Sequence, residues 1–583
     1  MDAVAYGLIT LVLTGAPVPN TTAPPGMNSA DESAAPHAVP ASSKHDALLG
    51  YMADELEYSL ANLVAPDGSR PYFINYTVYD EHSAVLSATL GALTQDYSAA
   101  DRNLNIDLRV GDYALDNTHQ IRGRGDSHSG GSGNVPLPLQ NDEYAIRHAL
   151  WYHTDQNFKG AVKRLTQVHA DLKIKVEEED QSADFSREEP RQHDEALLSL
   201  DFEAEPWKQR IRRISAIARG FPFIYSSSVT VSAYASNRFM VTSEGTRLQT
   251  AERRYRVILR AATKADDGMD LTQSFDFNSA SLGGLPEDDE IEGAFREVIK
   301  QVLALRAAPI AEPYIGPAIL RNRASGVFFH EIFGHRIEGH RQKDVTEGQT
   351  FTKKIGEIIL PEFLTVVDDP TLPRLADIDL RGHYRFDDEG VKASRTPLVE
   401  NGILKSFLLS RSPVHGFPQS NGHGRRQPGR AVTSRQANLI VESSNRVSFD
   451  ELRQLLKDEA DSQGKPYGLL FEDISGGFTR TGRRGPQSFK VLPVEVYRVY
   501  TDGRPDELIR GADIVGTPLT CFEKVTYTAD DPGVFNGSCG AESGWVPVSA
   551  VSPSILVSTI EIEKRTRDQS RPPILDPPLD GAS

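Results

Sequence analysis

Residues 330–340 read HEIFGHRIEGH, three imidazoles and two carboxylates in one short stretch. Imidazole nitrogens are zinc ligands, and a carboxylate beside one of them can act as general base on a water the metal polarises. The usual arrangement is H-E-x-x-H, in which two histidines four apart share a helix face. Here His330 and His335 are five apart, which on an ideal helix leaves their side chains about 140° apart. A π-type turn, with one residue added, would bring the two faces together. Gly334, just before the second histidine, would ease the distortion. The spacing therefore predicts one bent or π-bulged helix over about 320–342, with His330 and His335 as ligands and Glu331 as base. The competing reading makes both histidines ordinary helix residues, and a third ligand decides between the two. His340, Glu338 and the distant Cys539, in FNGSCGAESGWVPV, are the candidates. Against Cys539 stands the fact that most lone cysteines are small buried hydrophobes.

Such a helix needs a frame, and the sequence around it is mostly sheet. FLTVVDD, LVENGILKSFLLS, QANLIVESS, PVEVYRVYTDGRPDELIRGADIVG and SPSILVSTIEIEK read as strands and turns. Asn401-Gly402 and Asp502-Gly503 are hairpin-turn signals. Further upstream, Leu48, Leu49, Met52, Leu56, Leu60 and Leu63 fall at helical spacing. Ile291, Phe295, Val298, Val302 and Leu305 mark a second amphipathic helix over 287–308, and 158–175 reads as a third. Strands are expected in RPYFINYTVYDEHSAVLSATLGAL, NLNIDLRVGDYALDN and the region from SSVTVSAYASNRFMV onward. The acidic run 177–195 reads as a solvated helix or loop. The prolines of AAPIAEPYIGP (307–317) mark a domain boundary. The division expected is 1–44, 45–310 with an insertion near 120–200, 318–565, and a loose tail 566–583.

The 583 residues are 39% hydrophobic and 25% charged, which is ordinary for a soluble globular protein of two to four domains. A net charge of −18 argues against a general nucleic-acid binder. The basic clusters HGRRQPGR (423–430) and TRTGRRG (479–485) read either as anion sites or as solvated turns. No run of 18 apolar residues exists, so no membrane span is expected. Two cysteines, Cys521 and Cys539, exclude a disulfide scaffold and a cysteine-rich zinc fold; a bond between them would remove the thiolate. AVAYGLITLVLTGA (3–16) has the length of a signal-peptide apolar region but no basic residues before it, and a Pro-, Ala- and Ser-rich linker follows. Export, to the periplasm, is the expectation if this run is a signal, and the cytoplasm otherwise. The Arg-Gly-Asp in GRGDSHSGGSGN (123–134) is too short to support adhesion.

HEIFGHRIEGH resembles the H-E-x-x-x-H helix of the TldD/PmbA metalloprotease family, also called modulators of DNA gyrase. The similarity continues through LTVVDDPTLP (364–373), FDDEGVKASRTPLVENGILKSFL (386–408), SNGHGRR (420–426), GADIVGTPL (511–519) and NGSCGAESGWVPVSAVSPSILV (536–557). It covers roughly 318–565, with LRVGDYALDN and the region 225–265 as its best matches upstream. The resemblance implies an α+β protein, with an α/β N-terminal domain and a sheet-rich C-terminal metallopeptidase domain. It implies Zn2+ held by His330, His335 and Cys539, with Glu331 as general base on the zinc-bound water. The substrates it implies are unfolded or extended peptides, which can add to a sheet edge through main-chain hydrogen bonds. It implies a dimer, either a homodimer or a heterodimer with a TldE/PmbA-like subunit that lacks the motif. The sequence departs from many relatives at His340, where they have Asp, and at Ala541, where they have Lys. Peptide hydrolysis also needs an oxyanion donor, for which His423 and Arg425 are candidates. The alternative is a catalytically silent partner or peptide-binding protein with a structural zinc, which His340 would close as fourth ligand.

Overall fold

A computed structural model describes residues 8–12, 46–121, 133–173, 180–483, 488–516, 521–565 and 571–575. The Arg-Gly-Asp tripeptide and most of segments 1–44 and 566–583 lie outside the described residues. Helices and strands are mixed, as expected, and are built around two sheets. No helix among the described residues is long and apolar enough to cross a membrane.

The first sheet grows from a long hairpin, Pro71–Thr89 with Ala92–Val110. Its turn residues Leu90 and Gly91 have φ of 47° and 79°, the left-handed pair that a two-residue hairpin needs. Ser226–Thr242, Arg247–Lys264 and Asp270–Ser279 extend it, all antiparallel. Alternation places residues 74, 76, 78, 86 and 88 on one face. The helices Asp46–Asn62 and Glu143–Leu172 cover one end of that face with Leu48, Met52, Ile146 and Leu150. Ala204–Ser215 and Asp288–Ala307 cover the other end with Ile211, Ile214, Ile291 and Phe295. The helix predicted over 158–175 starts much earlier, at Glu143, where the Asp142 side chain accepts the Ala145 N–H as an N-cap.

The second sheet has a split plan. Thr396–Glu400, Leu364–Asp368, Asn438–Ser443, Gly544–Ser552 and Gly533–Ala541 form one part; Tyr467–Arg480, Phe489–Tyr500, Ala512–Gly516 and Ile555–Lys564 form the other. Leu8–Val12 lies between the two parts. Tyr314–Leu320 pairs with both Tyr467–Arg480 and Ile555–Lys564, which closes the second part into a five-stranded ring. The helix Asn322–Ile332 leaves this closing strand and is buried at every residue from Ala324 to Ile332. It is apolar on nearly all sides, as a helix inside a core must be. Val327, Phe328 and Ile332 pack with Phe489, Phe535, Val546 and Ile555.

Two sequence expectations fail here. Within the acidic run, Asp184, Phe185 and Ser186 are buried rather than solvated. Phe185 packs edge-on to Phe73 and under the Arg109 and Arg411 guanidiniums, so one aromatic ring docks an otherwise polar segment. The cluster HGRRQPGR is a solvated turn only at its end, where 428–430 turn and Arg430 is exposed. Arg425 and Arg426 are buried, and Arg425 donates to the Gln436 carbonyl at 2.6 Å.

The second face of the first sheet meets the segment 386–389. Arg238 donates to the carbonyls of Phe386 and Asp387 and to the Asp388 carboxylate, which also accepts from Tyr79. Asp387 accepts the N–H groups of Glu389, Val391 and Gly424, and Glu389 accepts that of Arg411. A Cβ at Gly424 would lie 2.3 Å from a Glu389 oxygen, so only glycine admits this approach. Burial, and then the like charge of Glu389, pushes Asp387 well above the carboxylate range; burial pushes Glu389 up to about 7. The folded chain thus keeps a proton that the unfolded chain releases near 4.5. The pair's contribution is complete below that value and is lost as pH rises through about 7. Urea unfolding from pH 5 to 8 should therefore show wild type losing on the order of 2 kcal/mol relative to Glu389→Gln. Parallel pH profiles would show that Glu389 titrates normally.

Candidate metal centre

The motif helix ends between its two histidines. Asn322–Ile332 is α-helix, Phe333 turns the chain, and Gly334–Arg336 is one 3-10 turn. His340–Lys343 is a separate helical turn. A break therefore stands where the spacing predicts one bent or π-bulged helix. Beside the break lies Gly334, where a Cβ would sit 1.9 Å from the Gln436 side-chain oxygen. Glycine is required there for this close approach. The Gln436 amide donates to the His330 carbonyl at 3.4 Å, one of the carbonyls that a helix end leaves without an intrahelical partner.

With the helix broken, the His330 and His335 rings meet nearly perpendicular, centroids 4.8 Å apart. Cys539 enters from the strand Gly533–Ala541, its Sγ 3.4 Å from His335 Nε2. One ligand atom from each of His330, His335 and Cys539 lies within 4.8 Å of the others, and all three residues are buried. Both ring nitrogens of His330 are buried without a hydrogen-bond partner, a cost that a bound cation would remove. Two imidazoles and one thiol form a zinc donor set that leaves a position open, so the residues fit the metal. Burial holds His330 and His335 below the usual imidazole range, which keeps them neutral donors. Burial pushes the Cys539 thiol up to about 12, with Arg435 opposing; a cation would displace that proton.

The surroundings fix these groups. Glu331 is fully buried, and a Cβ at Gly477 would lie 2.7 Å from its Cγ, so Gly477 makes room for it. The Glu331 charge acts on the Cys539 thiol. Glu338 Oε1 lies 3.2 Å from His335 Nδ1, and Glu338 Oε2 accepts from Arg341 at 2.8 Å. Burial works to raise the Glu338 carboxyl, but His335, Arg341 and Arg435 hold it down to about 2. A carboxylate on Nδ1 sets the ring so that Nε2 serves as donor. Arg341 also grips Glu542 through two hydrogen bonds, at 3.0 and 2.8 Å. Arg435 donates to the Cys539 carbonyl at 2.7 Å and to Ser543 Oγ at 2.8 Å, steadying the turn beside the thiol.

Of the three candidate third ligands, Cys539 is the one brought to both histidines. Glu338 instead orients His335, and His340 faces Glu542, with Nε2 3.8 Å from its carboxylate. His423 is buried between Asn421 and Asp368, each ring nitrogen facing an oxygen. Arg425 is committed to a backbone carbonyl. Neither supports the expected oxyanion role. Cys521 and Cys539 are not joined in a disulfide. Glu338 as an orienting group could have been found from its place three residues after His335. Arg435, Gln436 and Glu542 come from distant strands and turns and carry no local signal.

Residues 314–564 match the family model described as the PmbA/TldA metallopeptidase C-terminal domain. A metalloprotease of Methanothermobacter thermautotrophicus is 29% identical over 350 residues, 57% of this chain and 69% of that one. A protein of Saccharolobus solfataricus named a zinc metalloprotease TldD homolog is 28% identical over 249 residues, 42% of this chain and 51% of that one. The alignment to the latter thus spans about half its length. The crystal structure of TldE from Thermococcus kodakarensis superposes with a TM-score of 0.59 at 16% identity, covering 88% of this chain and 100% of that one, which shows a shared fold. The chain therefore has relatives among the PmbA/TldD metalloproteases, and residues 314–564 carry its match to that family's C-terminal domain.

Proposed function

We propose that this protein is a zinc-dependent peptidase that hydrolyses peptide bonds in unfolded or extended peptides. The observation that carries the reading is the meeting of two imidazoles and one thiol within 4.8 Å, next to the buried carboxylate of Glu331. His330, His335 and Cys539 would hold the metal. When bound, zinc supplies Lewis acidity to water and to the substrate carbonyl. Glu331 takes the proton from the attacking water and returns it to the leaving amine. Glu338 and Arg341 keep the His335 ring in place while this happens, and Arg435 keeps the Cys539 turn in place. Burial of every one of these groups excludes bulk water and strengthens their mutual interactions. Residues 318–565 form the proposed catalytic domain, and residues 45–310 an N-terminal domain that covers it. The proposed assembly is a dimer, with a second copy or with a subunit that lacks the motif, which the fold shared with TldE supports.

Glu331→Gln should keep one zinc per chain while cleavage of an unfolded peptide mixture, read by mass spectrometry, falls at least about 100-fold. Unchanged cleavage would remove Glu331 as base. Absence of cleavage by wild type and variant alike, with zinc still bound, would favour a structural metal. Glu338→Gln should weaken zinc binding about 10- to 100-fold in competition with a chromophoric chelator, with the circular dichroism unchanged. An unaltered zinc affinity would show that the Nδ1 contact does not position His335.

A further inference from the structure

The two parts of the second sheet do not pair with each other beside the metal centre. Gly533–Ala541 and Tyr467–Arg480 present facing edges, and Leu8–Val12 fills the space between them, antiparallel to both. Leu11 stands opposite Gly477 on one side and Cys539 on the other. Thr10 stands opposite Phe478 and Gly540, and Val12 opposite Gly476 and Ser538. A strand in this slot therefore runs between a candidate metal ligand and the glycine against which Glu331 rests.

The slot strand is supplementary to the rest of the fold. Tyr467–Arg480 has its own partner in Phe489–Tyr500, and Gly533–Ala541 has its own in Gly544–Ser552. Residues of the motif helix pack with residues of both parts in one apolar core, and Arg336 donates to the Arg480 carbonyl from the motif turn. The sheet parts thus remain joined without residues 8–12. The segment LITLV is rich in β-branched and leucine residues, which suits an inserted strand. It is linked covalently to the helix that starts at Asp46, and such a link gives a segment an effective concentration that can reach the millimolar range.

We propose that residues 8–12 are an intramolecular occupant of the slot in which a substrate peptide binds, and that they hold the candidate active site closed until displaced or cut away. The proposal rests on the peptidase reading only for what competes with the segment; the occupancy itself stands on the strand pairing. The recognition is main-chain pairing on two edges, so the displacing ligand is an extended peptide of loosely defined sequence. Residues 8–12 belong to the same apolar run that resembles an export signal, so cutting the chain behind that run would open the slot.

The test compares the full chain with a form starting at His45 and with full-length Leu11→Pro, which removes a main-chain donor from the segment. The probe is a fluorescein-labelled peptide of residues 7–15 with a solubilising lysine tail, and binding is read by fluorescence anisotropy on the Glu331→Gln background so that no turnover intervenes. Both altered chains should bind the probe at least tenfold more tightly than the full chain, and peptide cleavage by their Glu331 counterparts should rise in parallel. Leu11→Pro carries the test if the shortened chain fails to fold. Equal binding by all three chains, or none by a folded shortened chain, would overturn the proposal. Tighter binding without any cleavage would leave the occupancy standing and remove the peptidase reading. Cleavage at equal rates with equal binding would do the reverse.

Discussion

Two histidines five residues apart can share a metal only if the helix that carries them changes course between them. In this chain the helix stops at Ile332, and a 3-10 turn carries His335. The Gln436 amide occupies the space that a side chain at position 334 would need and bonds the His330 carbonyl. The rest of the centre is assembled around this turn. His335 swings into reach of His330, its Nδ1 meets Glu338, and its Nε2 meets the Cys539 thiol from a strand some two hundred residues away. Burial of the whole helix in an aromatic core holds the break in one geometry.

The charges around the centre form a linked set, buried at Glu338, Arg341 and Arg435 and partly exposed at Glu542. Glu338, Arg341, Glu542 and Arg435 link the motif turn to the hairpin that presents the thiol. Taking ions out of water is costly, and such a set holds together only while every member keeps its partners. What it supplies is fixed position, the property a site needs when its ligands come from separate elements. The second sheet is divided at the same place, so the strand that fills the division passes beside Cys539 and Gly477. The candidate metal centre and the strand Leu8–Val12 therefore share one gap in the fold. The first sheet closes over this assembly through Arg238, Tyr79 and the buried Asp387–Glu389 pair.

The helices over 46–62 and 288–307 were legible because their apolar residues recur at the helical period and are the ones buried. The Asn401-Gly402 hairpin was legible because both residues occupy left-handed backbone, with φ of 49° and 78°. The imidazoles and Glu331 were legible as types and spacing, and Cys539 as one of three candidates for a third ligand, singled out by the resemblance. The helix break was not, and the glutamine packed against it lies about a hundred residues later in the sequence. The buried Arg425 and Arg426 were misread as surface groups because composition cannot show that carboxylates and carbonyls await them. The start of the helix at Glu143 escaped because its first turns carry exposed aromatics such as Tyr144 and Trp151, which blur the polar face. The placing of Leu8–Val12 escaped because an apolar run of that length is equally readable as a targeting signal.

The most direct test of the account is the zinc K-edge X-ray absorption spectrum of the full chain loaded with one equivalent of metal. The account predicts two imidazole nitrogens and one sulfur, the sulfur at about 2.3 Å, and loss of the sulfur shell in Cys539→Ser. A spectrum of nitrogen and oxygen neighbours alone, unchanged by that substitution, would contradict it.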